Sequence, residues 1–299
     1  MITKQQSLAL LMLSITTFIL LLGAPQNISR SLPVRNQDVS VIFDLNGVLV
    51  KNGGETKILG VGKFIPYALM YGFSCKKRLK KHMFNFYESI EARTPGQALA
   101  CDQDGIVLPQ LMCEWMRGTQ TPAAILAKIE AEAKNRAPGL EIDLITSIAR
   151  MIFTPELFIQ TQHVVDEAVN FVRELKERGY KIYILSNFDA QSFRLLKEAH
   201  PELFSLFDGM VISGDVGLLK PDTAIYEHLL NAYTIDRSKA FYIDDQIVNL
   251  NAALADAHIN GGALCTLKKG VFTNAPYKHN VRSQFYTWRE DLNHAAAVA

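Results

Sequence analysis

From Gln162 to about Leu267 the chain alternates short β-branched or aliphatic runs with longer amphipathic stretches, and this rhythm most restricts its fold. Lys181 to Leu185, Gly209 to Ile212, Ala240 to Ile243 and Gly262 to Thr266 read as strands. Gln162 to Arg178, Ala190 to Ala199, Pro221 to Ala232 and Ile247 to Ala257 read as helices, with Gly179 as a C-terminal stop and Pro221 in a first turn. One more strand, Val39 to Phe43, stands far upstream. Strands that alternate with helices imply a doubly wound, Rossmann-like parallel sheet covered on both faces, an α/β fold. About a hundred residues separate the first strand from the rest. They carry helical patterns such as Pro122 to Ala133 and Ile142 to Phe153, and are too long for a loop. The expected organisation is an α/β core of residues 37–51 and 160–285, an inserted helical cap of 52–159, and a tail of 286–299.

In such sheets the ligand site lies beyond the carboxyl ends of the strands. Asp44, Ser186 with Asn187, and Asp244 with Asp245 all fall there. Taken singly, each residue has an ordinary reading: Asp44 as a turn residue, Lys220 as a solvated cation, Asp244 and Asp245 as helix caps. Their shared position at strand ends singles them out together.

Charge excludes one class of partner. With 31 basic against 30 acidic residues the net charge is +1, so no global excess attracts a nucleic-acid backbone. The basic run Cys75 to Lys81 reads as a solvated helix face. Between Lys4 and Arg30 there is no charged residue, and Leu8 to Gly23 is nearly all apolar. Residues 1–30 therefore read as a cleaved signal peptide or a retained anchor that attaches the chain to a membrane through residues 5–24. Either reading places the protein outside the cytosol or at a membrane. Cys75, Cys101, Cys113 and Cys265 form no Cys-x-x-Cys pair, which argues against a zinc site. Buried thiols are the expectation, with one disulfide among the first three as the alternative. Nothing in the sequence sets the oligomeric state.

Four segments, in order, resemble the motifs of the haloacid-dehalogenase-like (HAD) superfamily. Phe43-Asp44-Leu45-Asn46-Gly47-Val48-Leu49 resembles the family's Asp-x-Asp-Gly loop. Leu185-Ser186-Asn187 resembles the strand ending in Ser or Thr, and Gly217-Leu218-Leu219-Lys220-Pro221-Asp222 the Lys-Pro element. Tyr242-Ile243-Asp244-Asp245-Gln246-Ile247-Val248-Asn249 resembles the acidic loop. Phe204 to Tyr226 is most similar to the branch containing the phosphatase domain of soluble epoxide hydrolases. The resemblance implies a phosphatase or phosphotransferase for a small phosphorylated metabolite, with Asp44 as nucleophile. It implies Mg²⁺ held by Asp44, Asp245 and the backbone carbonyl of Asn46, with Asp244 beside them. Lys220 would offset charge on the phosphoryl group, and Ser186 with Asn187 and nearby N–H groups would bind its oxygens. Hard oxygen ligands suit Mg²⁺, and such catalysis rests on positioning and electrostatics.

The second acid of the first motif is absent, because Asn46 stands where those phosphatases have Asp. An amide hydrogen-bonds but does not exchange a proton near neutral pH. Three readings stay open: a phosphatase with impaired turnover, a dehalogenase-type hydrolase that also attacks with Asp, and a catalytically weak binding protein of the same fold. Substrate choice is assigned to the cap, with Tyr67, Phe84, Phe86, Tyr87 and Trp115 as lining candidates and His82 at the surface. Glycines 53, 54, 60 and 62 are candidates for its hinge.

Overall fold

The computed structural model describes residues 34–53, 61–97, 100–102, 104–268, 271–273 and 281–298. Strands β1 (Ser40–Phe43), β4 (Lys181–Ser186), β5 (Gly209–Ile212), β6 (Ala240–Asp244) and β7 (Gly261–Leu264) form one sheet in the order β5-β4-β1-β6-β7. Every neighbouring pair is parallel. Between them, β2 (Val50–Asn52) and β3 (Gln162–Val164) form a separate antiparallel pair. The strands of the main sheet are almost wholly buried, as their unbroken apolar runs require of a sheet covered on both faces. Phe43, Phe171, Ile184, Ile243 and Phe285 pack on one face, and Ile42, Leu185, Tyr226 and Tyr242 on the other. Val34–Leu292 forms one compact unit.

β1 lies at the centre, with β4 then β5 on one side and β6 then β7 on the other. The order of connection reverses beside β1, which opens a crevice at the carboxyl ends of β1, β4 and β6. Register brings those ends level: Phe43 pairs with Ile184 and with Ile243, and the Asp44 N–H donates to Ile243 O at 2.8 Å.

Three sequence expectations need correction. Gln162 to Arg178 is not one helix: Gln162–Val164 pairs with Val50–Asn52, and the helix starts at Asp166. The β-branched Val164 and Val165 suit the strand exit, while Asp166 and Glu167 complement the positive helix N-terminus. Pro221 does not open its helix. The Lys220–Pro221 peptide bond is cis, and the helix runs Thr223–Ala232, capped by Asp222, whose carboxylate accepts from Ala224 N–H at 3.0 Å. The stretch after Ile247 is a short α-helix, Ile247–Asn251, that relaxes into a π turn at Ala252–Asp256.

Between β2 and β3 lie the helices Val61–Tyr71, Cys75–Ile90, Gln110–Arg117, Pro122–Lys134, Leu140–Ile152 and Pro155–Phe158. They have an apolar core of their own that includes Tyr67, Phe84, Phe86, Tyr87, Ile125, Ile129 and Leu144. This insert packs closely against the turn that follows β5. Gly118 has φ +72°, and a Cβ there would stand 2.5 Å from Gly214 O, so only glycine permits the approach. Nearby, Ser213 Oγ donates to Met116 O at 2.6 Å. The apolar segment 5–24 lies outside the described residues, as do Gly54 and Gly60 of the expected hinge, while Gly62 falls within the helix Val61–Tyr71. Among the described residues no helix is long and apolar enough to cross a membrane. Cys75, Cys113 and Cys265 are buried free thiols.

Candidate active site

The carboxyl ends of β1 and β6 bring three carboxylates, Asp44, Asp244 and Asp245, close enough for one oxygen of each to lie within 4.8 Å of the others. The turn after β1 is closed by Leu45 O, which accepts from the N–H groups of Leu49 and Val50 at 2.9 Å each, and by Gly47 N–H, which donates to Val50 O at 2.7 Å. Gly47 has φ +86°, and a Cβ on it would come within 2.1 Å of Asp245 Oδ2. The Asp-x-Asn-Gly turn therefore packs its glycine directly under the second acidic loop.

Lys220 ties the acids together. Its ammonium is 1% exposed and lies 3.0 Å from Asp44 Oδ1 and 2.8 Å from Asp244 Oδ2, and it donates to Leu185 O and Tyr242 Oη at 3.1 Å each. Burial alone would lower its pKa, but the two carboxylates outweigh burial and hold it above the ordinary range. Asn187 fixes the Lys220 backbone from both sides: its Oδ1 accepts from Lys220 N–H at 2.8 Å and its Nδ2 donates to Lys220 O at 2.9 Å. That double contact holds the loop that delivers the ammonium.

The acids differ in how far they are satisfied. Asp244 Oδ1 accepts from Gln246 N–H at 2.7 Å and Asn249 Nδ2 at 3.2 Å, while Oδ2 accepts from Lys220 and the Tyr242 hydroxyl. Asp44 Oδ1 accepts from Leu45 N–H at 2.6 Å as well as from Lys220. By contrast Asp245 Oδ1 and Asn46 Oδ1 are buried with no hydrogen-bond partner among the described residues, and so is Ser186 Oγ. Burial pushes Asp44 up to about 6, with Lys220 opposing and Asp244 adding to the rise. Burial pushes Asp245 up to about 8, reinforced by Asp244 and Asp44. Three carboxylates face one ammonium, a formal charge of −2 once all three are ionised. Bare carboxyl oxygens in such a place are the setting for a hard divalent cation.

Asp44, Asn46, Asn187 and Lys220 open onto a cavity of about 560 Å³ between the sheet and the insert. Ser186 is buried and does not line it, and the same holds for Asp244. Of the aromatic lining candidates only Trp115 reaches the cavity; Tyr67, Phe84, Phe86 and Tyr87 form the insert's core. His82 pairs with Glu141 away from the cavity. The basic run is only partly a solvated face, because Lys76 and Lys80 line the cavity, and Lys80 is ion-paired with Asp102 and Asp104. Their four-residue spacing on one helix was the available signal. Gln246, Asn249 and Tyr242 were missed as site residues. All three lie in the acidic-loop segment, and Tyr242 also stands two positions before Asp244 on the same strand face.

The family of haloacid dehalogenase-like hydrolases matches residues 40–255. A sesquiterpene phosphatase of Aspergillus oryzae is 37% identical over 86 residues, covering 29% of this chain and 43% of the phosphatase. An (S)-2-haloacid dehalogenase of a Pseudomonas species is 36% identical over 77 residues, covering 26% of this chain and 33% of the dehalogenase. The chain thus spans less than half the length of the curated relatives it matches. Among solved structures, a HAD-family enzyme of Bacteroides thetaiotaomicron in complex with magnesium and inorganic phosphate is 17% identical, covering 76% of this chain and 94% of its own, with a TM-score of 0.47. The family match spans most of the chain and includes β1 through β6, so this protein is a haloacid dehalogenase-like hydrolase.

Proposed function

We propose that this hydrolase transfers the phosphoryl group of a small phosphate monoester to Asp44, and that the helical insert is the cap over the reaction. The observation that supports this most directly is the cluster of three carboxylates around one ammonium, with bare oxygens on Asp245 and Asn46. A phosphate dianion cannot enter such a site unless a cation offsets the charge. Asp44, Asp245 and Asn46 are the residues that would hold Mg²⁺. The ion would supply charge neutralisation for the phosphoryl group and the attacking carboxylate.

In the first step a carboxylate oxygen of Asp44 forms a bond to phosphorus as the ester P–O bond breaks. Lys220, already 3.0 Å from Asp44 Oδ1, keeps that carboxylate ionised and offsets charge on the transferring group. Asp244 is a positioning residue, because its oxygens are occupied in holding Lys220, Gln246 and Asn249. The departing alkoxide takes its proton from water, since Asn46 has none to give. In the second step water attacks phosphorus, releasing phosphate and restoring the Asp44 carboxylate. No side chain at position 46 can accept the water's proton, so this step limits turnover. The A. oryzae relative, a phosphatase by name, supports the choice of ester.

A second reading rests on Asn46 itself: displacement of halide by Asp44 needs no acid at that position. It does not use the second and third carboxylates of the cluster, which favours the first. The test is a rapid-mixing time course of aryl phosphate hydrolysis by the full chain, in Mg²⁺ and in EDTA, beside Asp44→Asn. The expected result is a Mg²⁺-dependent burst of one aryl alcohol per chain followed by slow turnover, with the burst absent in Asp44→Asn. Absence of any burst, with metal-independent halide release from a 2-haloacid, would replace the first reading by the second. We place the chemistry outside the cytosol or at a membrane through residues 5–24, which fractionation of cells expressing the full chain checks.

A further inference from the structure

The cavity over Asp44 bears on the half of the ester that leaves. Its charged lining residues fall into two groups. Asp44 and Lys220 belong to the sheet end and are buried; Lys76, Lys80, Asp102 and Asp104 belong to the insert. In the second group Lys80 is already paired with both aspartates. The rest of what the insert contributes is dominated by thioethers, aliphatic chains and rings, among them Met83, Met112, Met116, Met151, Trp115 and Phe158. Trp115 is fixed edge-on against Phe153 at 5.3 Å and Phe158 at 5.2 Å, and Phe158 in turn packs on Phe188 at 5.5 Å. This wall is rigid where the rings meet and adaptable where the methionines stand.

Such a wall discriminates. A sugar or polyol phosphate would bury hydroxyl groups against sulfur and carbon, and each hydroxyl left without a partner weakens binding roughly tenfold or more. An alkyl or alkenyl chain loses nothing there and gains from every methylene it removes from water. Among the described residues no arginine or histidine lines the cavity, and Lys76 offers a single ammonium rather than a bidentate grip on a second phosphate or a carboxylate. At about 30 Å³ per water-sized unit, 560 Å³ holds on the order of 15–20 heavy atoms.

We infer that the substrate is the phosphate monoester of an apolar alcohol, with a branched or flexible hydrocarbon body seated on the methionine wall and its phosphate at Asp44. This rests on the phosphoryl-transfer reading given above. It narrows that reading from small phosphorylated metabolites in general to one chemical class. Met112, Ile148 and Ile152 fit this assignment, because they line the cavity while only partly buried, leaving apolar surface for a ligand to cover.

The test uses two series on the full-length protein in Mg²⁺. Binding of n-alkylphosphonates from two to twelve carbons, which cannot be hydrolysed at the P–C bond, is measured by calorimetry. Phosphate release is measured from the matching alkyl phosphates and from glycerol phosphate. The expected result is a Kd that falls by up to about fourfold per methylene until the cavity is filled, with the long alkyl phosphates preferred to glycerol phosphate. Met112→Gln and, separately, Met116→Gln should flatten the chain-length dependence. Phosphate release with no chain-length dependence, or with glycerol phosphate preferred, overturns the assignment of class alone. A chain-length dependence with no phosphate released from any ester overturns the phosphoryl-transfer reading, and this inference with it.

Discussion

Replacing Asn46 by Asp sets two effects of this site against each other, and the balance between them can be measured. The side chains are isosteric, and the turn that carries position 46 is held by backbone hydrogen bonds from Leu49, Val50 and Gly47 that the substitution does not touch. The new carboxyl group would therefore stand where Asn46 Oδ1 is now, buried and without a donor. In its favour is chemistry: a general acid and base at this point is worth about 10²–10⁴-fold in rate, or about 3–5 kcal/mol of barrier. Against it is charge, because a fourth carboxyl group joins three that face a single ammonium. One like charge about 5 Å away costs about 3 kcal/mol at an effective dielectric of 20. Without metal the new group should escape that cost by keeping its proton, as Asp245 does.

The assay is rapid-quench hydrolysis of an aryl phosphate at neutral pH, with steady-state turnover followed on the same preparation. The native protein should give a burst and then a rate limited by breakdown of the phosphorylated Asp44. In Asn46→Asp the steady rate should rise by about 10²–10⁴-fold and the burst should disappear, because the second step no longer lags. The rise should require Mg²⁺. If a folded, Mg²⁺-binding Asn46→Asp variant turns over no faster than the native chain, the missing acid does not limit this enzyme and the account of Asn46 is wrong.

Three further outcomes follow from the same geometry. Lys220→Met leaves Asp44 and Asp244 buried without their cation, so metal-free stability should fall by about 3–5 kcal/mol in urea unfolding; a loss under about 1 kcal/mol would show that the ammonium is not the partner of these acids. Asp44 at about 6 and Asp245 at about 8 both lie above the 3.8 of an unfolded Asp. Between 3.8 and those values the folded chain holds more protons than the unfolded one, so these groups favour folding at low pH and disfavour it as pH rises through 6 and 8. The gain in Tm from Mg²⁺ should accordingly grow between pH 5 and about 8.5, and a gain that shrinks with pH contradicts the assignment. Gly47→Ala places a methyl group within 2.1 Å of Asp245 Oδ2 at φ +86°, so Mg²⁺ affinity measured by calorimetry should fall at least about tenfold through displacement of that carboxylate; unchanged affinity would remove Asp245 from the metal site.

What the sequence made legible was set by local pattern. The strands ending in Asp44, Ser186 and Asp244 are apolar runs with a polar residue at the end, so both the sheet and the polar edge of its crevice could be read. The difference between Asp244 and Asp245 came from the family resemblance and not from the pattern. Consecutive residues at a strand end project to opposite sides, so Asp244 shares the side of Tyr242 and meets Lys220, while Asp245 turns toward Gly47. Which side faces the lysine depends on where Lys220 arrives, and that is decided by Asn187, 33 residues earlier, holding its backbone. The start of the Thr223–Ala232 helix was misread for a similar reason. Pro221 is a good first-turn residue in isolation, but here it follows a residue whose side chain is drawn into the site.

The insert is the more instructive failure, because its helices carry more apolar residues than folding alone demands. A helix on a domain surface needs one apolar stripe. The helix Gln110–Arg117 buries Leu111 and Cys113 in the insert's core, yet also presents Met112, Trp115 and Met116 to the cavity. Leu140–Ile152 likewise buries Leu144, Ile145 and Ala149 while Ile148, Met151 and Ile152 line the cavity. From sequence these helices look simply hydrophobic, and nothing separates the residues that hold the insert together from those that face a ligand. The separation comes from position against the sheet: the second apolar side points over Asp44, where a domain that served only to cover a polar metabolite would carry hydrogen-bonding groups instead. Apolar side chains that pack the insert and also line the cavity above Asp44 are accounted for by a substrate that is itself apolar.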